Sequence, residues 1–319
     1  MDVLNSCKSS HLKLTTWKAK MPRLAILTLG IVLVSCVPGN ADRSKTDYEY
    51  KRTKRIVSLV EEAGALIERK GEKAFPLFRK KDSKWFQGDM YLFVYDLKGK
   101  NIVHPVQPEF EGQNLIDLKD INGKSVIRLI IDKVTRHNKP SGWVHYMWIR
   151  PEEIFPMWKS SYVLKTRAPS GKEYVIGSGL YNMKEEKQFI IETVDDAVEL
   201  IKLEGEAAFD SFRDKTSEFV FMSNYIFVVK LDGTAVVDPA FPSLEGRNLL
   251  EFKDAVGRYV VREMIKKLTG DSTWISYMWP KAGEVRPSRR LAYLRKVKLG
   301  LETYIVGSGF SPARPIWMK

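Results

Sequence analysis

Residues 71–79 read GEKAFPLFR and residues 205–213 read GEAAFDSFR, one pattern written twice, 134 positions apart. The same offset carries Tyr91, Phe93, Gly99, Pro105, Pro108, Glu111, Gly112, Asn114, Asp120, Gly123 and Arg128 onto Tyr225, Phe227, Gly233, Pro239, Pro242, Glu245, Gly246, Asn248, Asp254, Gly257 and Arg262. A loop shortened by three residues then lowers the offset to 131, so that Trp143, Tyr146, Met147 and Trp148 meet Trp274, Tyr277, Met278 and Trp279. Tyr174-Val-Ile-Gly-Ser-Gly179 closes the first copy, as Tyr304-Ile-Val-Gly-Ser-Gly309 closes the second. An ordered series of this length marks the internal repetition of a domain-sized unit.

Within each unit the apolar spacing changes in a fixed order. Val60, Ala63, Leu66 and Ile67, and in the second copy Ile190, Val194, Ala197, Val198 and Ile201, fall on one helical stripe, so each unit opens with an amphipathic helix. Asp89 to Tyr95 alternates aromatic with aliphatic residues, as a strand covered on both faces does. Asp96-Leu-Lys-Gly99 supplies a turn before a second strand at Ile102 to His104. Val126, Ile127, Ile130, Ile131 and Val134 predict a short helix behind Asn122-Gly123. Strands at Trp143 to Ile149, Tyr162 to Arg167 and Glu173 to Ser178 complete an antiparallel sheet. The fold class is α+β, with helices segregated from the sheet.

The runs Tyr91 to Gly99, His104-Pro105, Glu111 to Asp120, Gly142 to Trp148 and Tyr174 to Gly179 resemble the single-Cache type of Cache domain, a PAS-like extracytoplasmic sensor module of chemoreceptors and sensor kinases. The resemblance implies two tandem Cache modules, at 54–183 and 184–315, each binding a small molecule such as a short carboxylate. The second copy departs at Asp238, where the first has His104, and in the segment Arg286 to Leu299.

Ahead of the repeats, Met21 to Cys36 reads MPRLAILTLGIVLVSC: a basic start, an apolar stretch too short to span a bilayer, and a small residue before Cys. Leu33-Val-Ser-Cys36 resembles the lipobox of bacterial lipoproteins. That implies a signal peptide over 1–35, with Met21 a candidate start, lipidation of Cys36, and a tether over 36–53. Val37 in place of Asp resembles the pattern that sorts to the outer membrane, so the expected location is periplasmic and lipid-anchored. Removing residues 1–35 takes away five basic residues and one acidic, which lowers the formal charge from +13 to +9. That balance is moderate and interleaved with acids, so nucleic acid is not an expected partner. With Cys7 and Cys36 the only cysteines, no disulfide or thiolate metal site is expected.

No catalytic constellation emerges: His11, His104, His137 and His145 show no metal-ligand spacing, and no nucleophile and base can be paired. No cofactor is implied. The two Gly-Ser-Gly runs end strands, which points to close backbone approach rather than phosphate binding.

A ligand pocket is better supported. Tyr146 and Trp148 on one face of a strand, Trp143 on the other, and their counterparts Tyr277, Trp279 and Trp274 combine apolar bodies with polar tips; the competing reading is core aromatics. Arg128 and Arg262 follow apolar pairs on the short helix and could present a planar fork to a carboxylate, or lie at its solvent edge. Tyr91, Tyr225, His104 and Asp238 are secondary ligand candidates, the last two making the sites unequal. The expected function is therefore a sensor lipoprotein that signals through a separate membrane receptor or kinase. The alternative is a structural or protein-docking envelope lipoprotein with collapsed pockets.

Overall fold

The structure, a computed structural model, describes residues 48–136, 139–281 and 283–312. The signal-peptide reading, the Met21 start and the Cys36 lipidation site lie outside these residues. No helix among the described residues is long and apolar enough to cross a membrane.

The chain first forms α1 (Lys51–Lys70), whose Ile56, Leu59, Val60, Ala63, Leu66 and Ile67 make one buried stripe. It stops at Gly71, which takes φ 58° and returns its N–H to the Ile67 carbonyl, a left-handed exit that a side chain would strain. A short α2 (Phe75–Phe78) follows. Then come β1 (Phe86–Gln87), β2 (Met90–Asp96), β3 (Asn101–Val103), α3 (Val126–Thr135), β4 (Ser141–Ile149), β5 (Pro156–Arg167) and β6 (Glu173–Tyr181). The strands make an antiparallel sheet in the order β1-β2-β6-β5-β4, with β3 also paired to β2.

The second half runs through α4 (Lys187–Glu204), α5 (Ala208–Arg213), β7 (Val220–Phe221), β8 (Asn224–Tyr225), β9 (Phe227–Lys230), β10 (Ala235–Val237), α6 (Val260–Lys267), β11 (Ser272–Pro280), β12 (Pro287–Leu299) and β13 (Glu302–Phe310). Its main sheet has the order β10-β9-β13-β12-β11, while β7 and β8 form a separate pair. The continuous β2 of the first half is thus interrupted at Ile226 in the second. As with α1, α4 ends on a glycine of positive φ, Gly205 at 67°.

The residues shared by the two halves turn out to be structural links. Glu72 accepts a hydrogen bond from the Tyr174 hydroxyl (2.9 Å), and Glu206 one from Tyr304 (2.6 Å). Arg79 donates to Glu111 (2.9 Å) and to the Ile102 carbonyl (2.8 Å); Arg213 does the same to Glu245 (3.0 Å) and Val236 (2.8 Å). Asp120 accepts the Met147 N–H (2.8 Å) and Asp254 the Met278 N–H (3.0 Å), tying the loop before each short helix to a sheet.

Alternation along the strands gives each sheet two buried faces. On the back of the first, Leu92, Val94, Trp143, Tyr162, Leu164 and Ile176 join the stripe of α1 and Phe189 of α4 in one continuous core. On the front, Phe93, Tyr95, Val144, Tyr146, Val163 and Val175 meet Val126, Ile127, Ile130 and Val134 of α3. The front of the second sheet packs Val260, Val261 and Met264 of α6 in the same way.

Residues of the second half hold α3 at both ends. Lys124, just before the helix, donates to the carbonyls of Ser217 and Val220 (2.6 Å to Val220). Lys133, near its C-terminus, is buried between Asp196 (2.8 Å) and Glu218 (2.5 Å). The His145 ring stacks on Phe221 at 4.1 Å.

The Gly-Ser-Gly runs are sites of close approach, as their position at strand ends suggests. A methyl group on Gly177 would lie 2.5 Å from the Phe93 ring and 2.9 Å from Val163, and one on Gly309 would lie 2.8 Å from the Leu291 carbonyl. Gly177→Ala is therefore expected to destabilise the protein by about 1–3 kcal/mol through overpacking. The check is a denaturant melt, and an unchanged midpoint would show that Phe93 moves aside without strain.

Candidate functional site

Between the front of the first sheet and α3 lies a narrow space of about 10 Å³, lined by Phe93, Tyr95, His104, Val126, Ile127, Ile130, Tyr146, Trp148 and Lys159. Strand register explains the wall. Tyr146 on β4 pairs with Lys159 on β5, and Val144 with Ser161, so these side chains share the cavity face. On β6, Gly177 stands opposite Phe93 of β2 and Gly179 opposite Ser161 of β5, so neither adds a side chain to this face.

Lys159 is the one charged group in this lining, and only 1% of its surface is exposed. Its Nζ donates to the Tyr91 hydroxyl (2.8 Å) and lies 4.1 Å from the Tyr91 ring centroid and 5.0 Å from that of Tyr181. Burial pushes its pKa down to about 7, against a weaker upward pull from Asp89. Asp89 itself lies 3.2 Å from Arg150 and 3.7 Å from Arg52. Lys159 is thus an ammonium in an apolar aromatic setting, where an opposing charge would strongly favour its protonated form.

His104 sits at the end of the hairpin and is buried. Its Nδ1 accepts the Gln107 N–H (3.0 Å), which places the ring proton on Nε2. Burial, and then the nearby Lys159, push its pKa down to about 3, so the ring is neutral and can donate one hydrogen bond without carrying charge. Its ring packs against Tyr91 at 5.3 Å and Trp148 at 6.2 Å. Trp148 donates to Gln107 (3.1 Å), and the Tyr146 hydroxyl is bonded to Ser161 (2.8 Å).

The corresponding space in the second half is larger, about 40 Å³, with Tyr225, Phe227, Val229, Asp238, Phe252, Val261, Met264, Tyr277 and Trp279 among its walls. Val229 in place of Tyr95 and Val261 in place of Ile127 account for much of the added room. Here the basic residue is turned away. Arg290 pairs with Tyr277 across β11 and β12 as Lys159 pairs with Tyr146. Its guanidinium, however, donates to the carbonyls of Ser223 (3.3 Å) and Gly309, behind the Tyr225 ring.

Asp238 supplies the charge of the second cavity instead. It occupies the same turn position as His104: its Oδ1 accepts the Phe241 N–H (3.0 Å), three residues on, as His104 accepts that of Gln107. Burial raises its pKa to about 6, although the Phe241 and Ala240 amides favour the ionised form.

The structure therefore brings together Tyr146, Trp148 and His104, with Tyr91 against Lys159, in the first cavity, and Tyr225, Tyr277, Trp279 and Asp238 in the second. It does not place Arg128, Arg262, Trp143 or Trp274 at either. Arg128 is exposed on the outer side of α3, paired with Asp117 (2.7 Å). Arg262 is likewise exposed on α6, paired with Glu251 and stacked on Tyr259. A residue two positions after the buried Val126 or Val260 points away from the sheet, which is why the apolar pair before each Arg misleads. Trp143 belongs to the back face, donating to the Tyr48 hydroxyl (3.0 Å) and packing on Phe189 at 4.8 Å. Trp274 packs there on Tyr293.

Lys159 and Arg290 were not singled out from sequence. The last strand pair was expected to begin at Tyr162, whereas β5 begins at Pro156 and so includes Lys159. A signal was present: both positions are basic and they keep the 131-residue offset. Among the described residues, no cluster of three or more His, Cys, Asp and Glu is placed to hold a metal ion.

A Cache domain family profile matches residues 71–311. The chain is similar to the methyl-accepting chemotaxis protein McpP of Pseudomonas putida KT2440, at 26% identity over 189 residues, covering 56% of this chain and 33% of that protein. It is also similar to the sensor histidine kinase MctS of Rhizobium johnstonii, at 37% identity over 94 residues, covering 29% of this chain and 19% of that one. The chain thus spans a third or less of the length of these curated relatives. Among solved structures, a methyl-accepting chemotaxis protein from Vibrio parahaemolyticus is 27% identical, with a TM-score of 0.34 over 41% of this chain and 88% of that one.

Proposed function

We propose, from the premise that this chain belongs to the Cache domain family, that it is an extracytoplasmic small-molecule sensor of two tandem modules, the first of which takes a short organic carboxylate. Lys159 carries this reading. Burying an ammonium with no carboxylate against it costs several kcal/mol, and a ligand carboxylate would remove that penalty on binding. The neutral His104 ring and the Tyr91 hydroxyl stand beside the ammonium as further hydrogen-bonding groups. Val126, Ile127 and Ile130 of α3 form an apolar roof over the ammonium, and the narrowness of the space favours a short acid.

In this reading the modules occupy 54–183 and 184–315, and a tether over 36–53 joins them to a lipid on Cys36, with the outer membrane the favoured site. Ligand occupancy passes to a separate membrane partner, and the relatives' own names, a chemoreceptor and a sensor kinase, suggest the class. The protein itself acts by binding, not by catalysis.

Propionate at about 100 times its dissociation constant is expected to add about 2.7 kcal/mol of stability, read as a rise in Tm. Lys159→Met should abolish that rise while Arg128→Ala preserves it; a rise that survives Lys159→Met would remove the lysine from the site. Because only the protonated lysine attracts a carboxylate and burial holds its pKa at about 7, propionate affinity should weaken about tenfold per pH unit as pH rises above that value. Calorimetry across this range would contradict the assignment if affinity stayed flat. For the anchor, Cys36→Ser should shift the protein from the membrane to the soluble fraction of cells, and unchanged membrane retention would place the attachment elsewhere.

A further inference from the structure

The second cavity poses the converse problem to the first. Asp238 is buried at its edge, 9% exposed, and among the described residues has no ion-pair partner. Its hydrogen bonds are local: its backbone N–H is taken by Glu245 (2.9 Å), and its Oδ1 accepts the Phe241 N–H. Beside it stand Tyr225, Tyr277 and Trp279, whose rings offer electron-rich faces to a positive charge. Trp279 is held edge-on by Tyr277 at 6.0 Å and by Phe241 at 6.0 Å. The rest of the wall is apolar, with Phe227 and Phe252 among aliphatic side chains such as Val229, Val261 and Met264. Arg290, the basic residue of this half, gives one guanidinium nitrogen to two backbone carbonyls beside Tyr225, and its charge favours the ionised form of Asp238 without forming an ion pair with it.

We infer that the second cavity binds an organic ammonium with an apolar body, its charged head against Asp238 and the aromatic rings, its body between Val229, Val261 and Met264. The inference rests on reading the protein as a sensor of two modules and assigns the second a ligand class of opposite charge to the first. The turn geometry shared by His104 and Asp238 makes this exchange structurally cheap: either side chain satisfies the amide three residues on, so the loop survives while the sign of the site changes. Val229, Val261 and Met264 give that body an aliphatic bed.

The test is calorimetry on the full chain in detergent, carrying Lys159→Met so that the first cavity is silent. Three probes share one apolar body: isoamylamine, isoamyl alcohol and isovalerate. The amine should bind at least tenfold more tightly than either of the others, and Asp238→Asn should remove that preference. Asn retains the acceptor for the Phe241 amide, and near-UV circular dichroism checks that the turn persists. Should that variant fail to fold, Met264→Trp, which fills the cavity from α6 and leaves the turn untouched, should abolish amine binding instead. Equal binding of amine and alcohol, amine binding that survives a folded Asp238→Asn, or failure of the amine to bind overturns the inference. So does a preference for isovalerate, which would reassign the cavity to Arg290. A parallel titration of the unmodified protein with propionate reads the first cavity alone. Loss of the propionate response with an intact amine response refutes the carboxylate reading, and the reverse pattern refutes this one.

Discussion

Each half of the protein turns on one ion pair, Arg79 with Glu111 and Arg213 with Glu245. The guanidinium has two obligations. It grips the glutamate and, through a second nitrogen, the carbonyl of a hairpin residue, Ile102 or Val236. The glutamate in turn takes the backbone N–H of His104 (2.9 Å) or Asp238 (2.9 Å). Burial alone would raise the Glu111 pKa, but the Arg79 and His104 hydrogen bonds outweigh it and hold the carboxyl ionised. A lone exposed pair contributes little stability. Here its value is positional, because it fixes where the loop leaves the sheet and hence which side chain stands at the cavity.

That latch separates scaffold from chemistry. Residues identical in the two halves are occupied in holding backbone: Gly71 and Gly205 end helices, Asp120 and Asp254 tie loops to strands, and Glu72 and Glu206 anchor tyrosines. Phe93 and Phe227, Tyr146 and Tyr277, and Trp148 and Trp279 line both cavities, and the positions that differ set their charge and size. His104 against Asp238, Lys159 against Arg290 and Tyr95 against Val229 change charge, direction and volume without disturbing the frame. The outcome is a small cavity with a buried cation and a larger one with a buried anion. Buried charges without an ion-pair partner weaken a fold.

The roof of the first cavity also depends on the second half. Lys124 and Lys133 flank the turns of α3 that supply Val126, Ile127 and Ile130, and both reach into residues beyond 190. Lys133 is fully buried between two carboxylates, and their charges outweigh desolvation to keep it protonated. The helix that covers the first site is therefore positioned by side chains of both halves.

The sequence by itself determined the repeated pattern, the helices at the head of each unit, the hairpin, α3, and the antiparallel character of the sheet. These follow from apolar periodicity and turn residues, which act over a few positions and leave a local trace. It also marked Tyr146, Trp148, Tyr277 and Trp279, because alternation along a strand fixes the face on which a side chain emerges. Tertiary structure decided which face meets which neighbour. Arg128 and Arg262 follow apolar pairs yet emerge toward solvent, Trp143 is equally aromatic but lies on the core side, and Lys159 becomes a site residue only because β5 extends to Pro156 and turns its ammonium inward. What is observed of Lys159 is that it lines the first cavity and is buried; such outcomes depend on helix rotation and strand register against distant elements, and a charge's burial is a property of everything packed around it rather than of its neighbours in the chain.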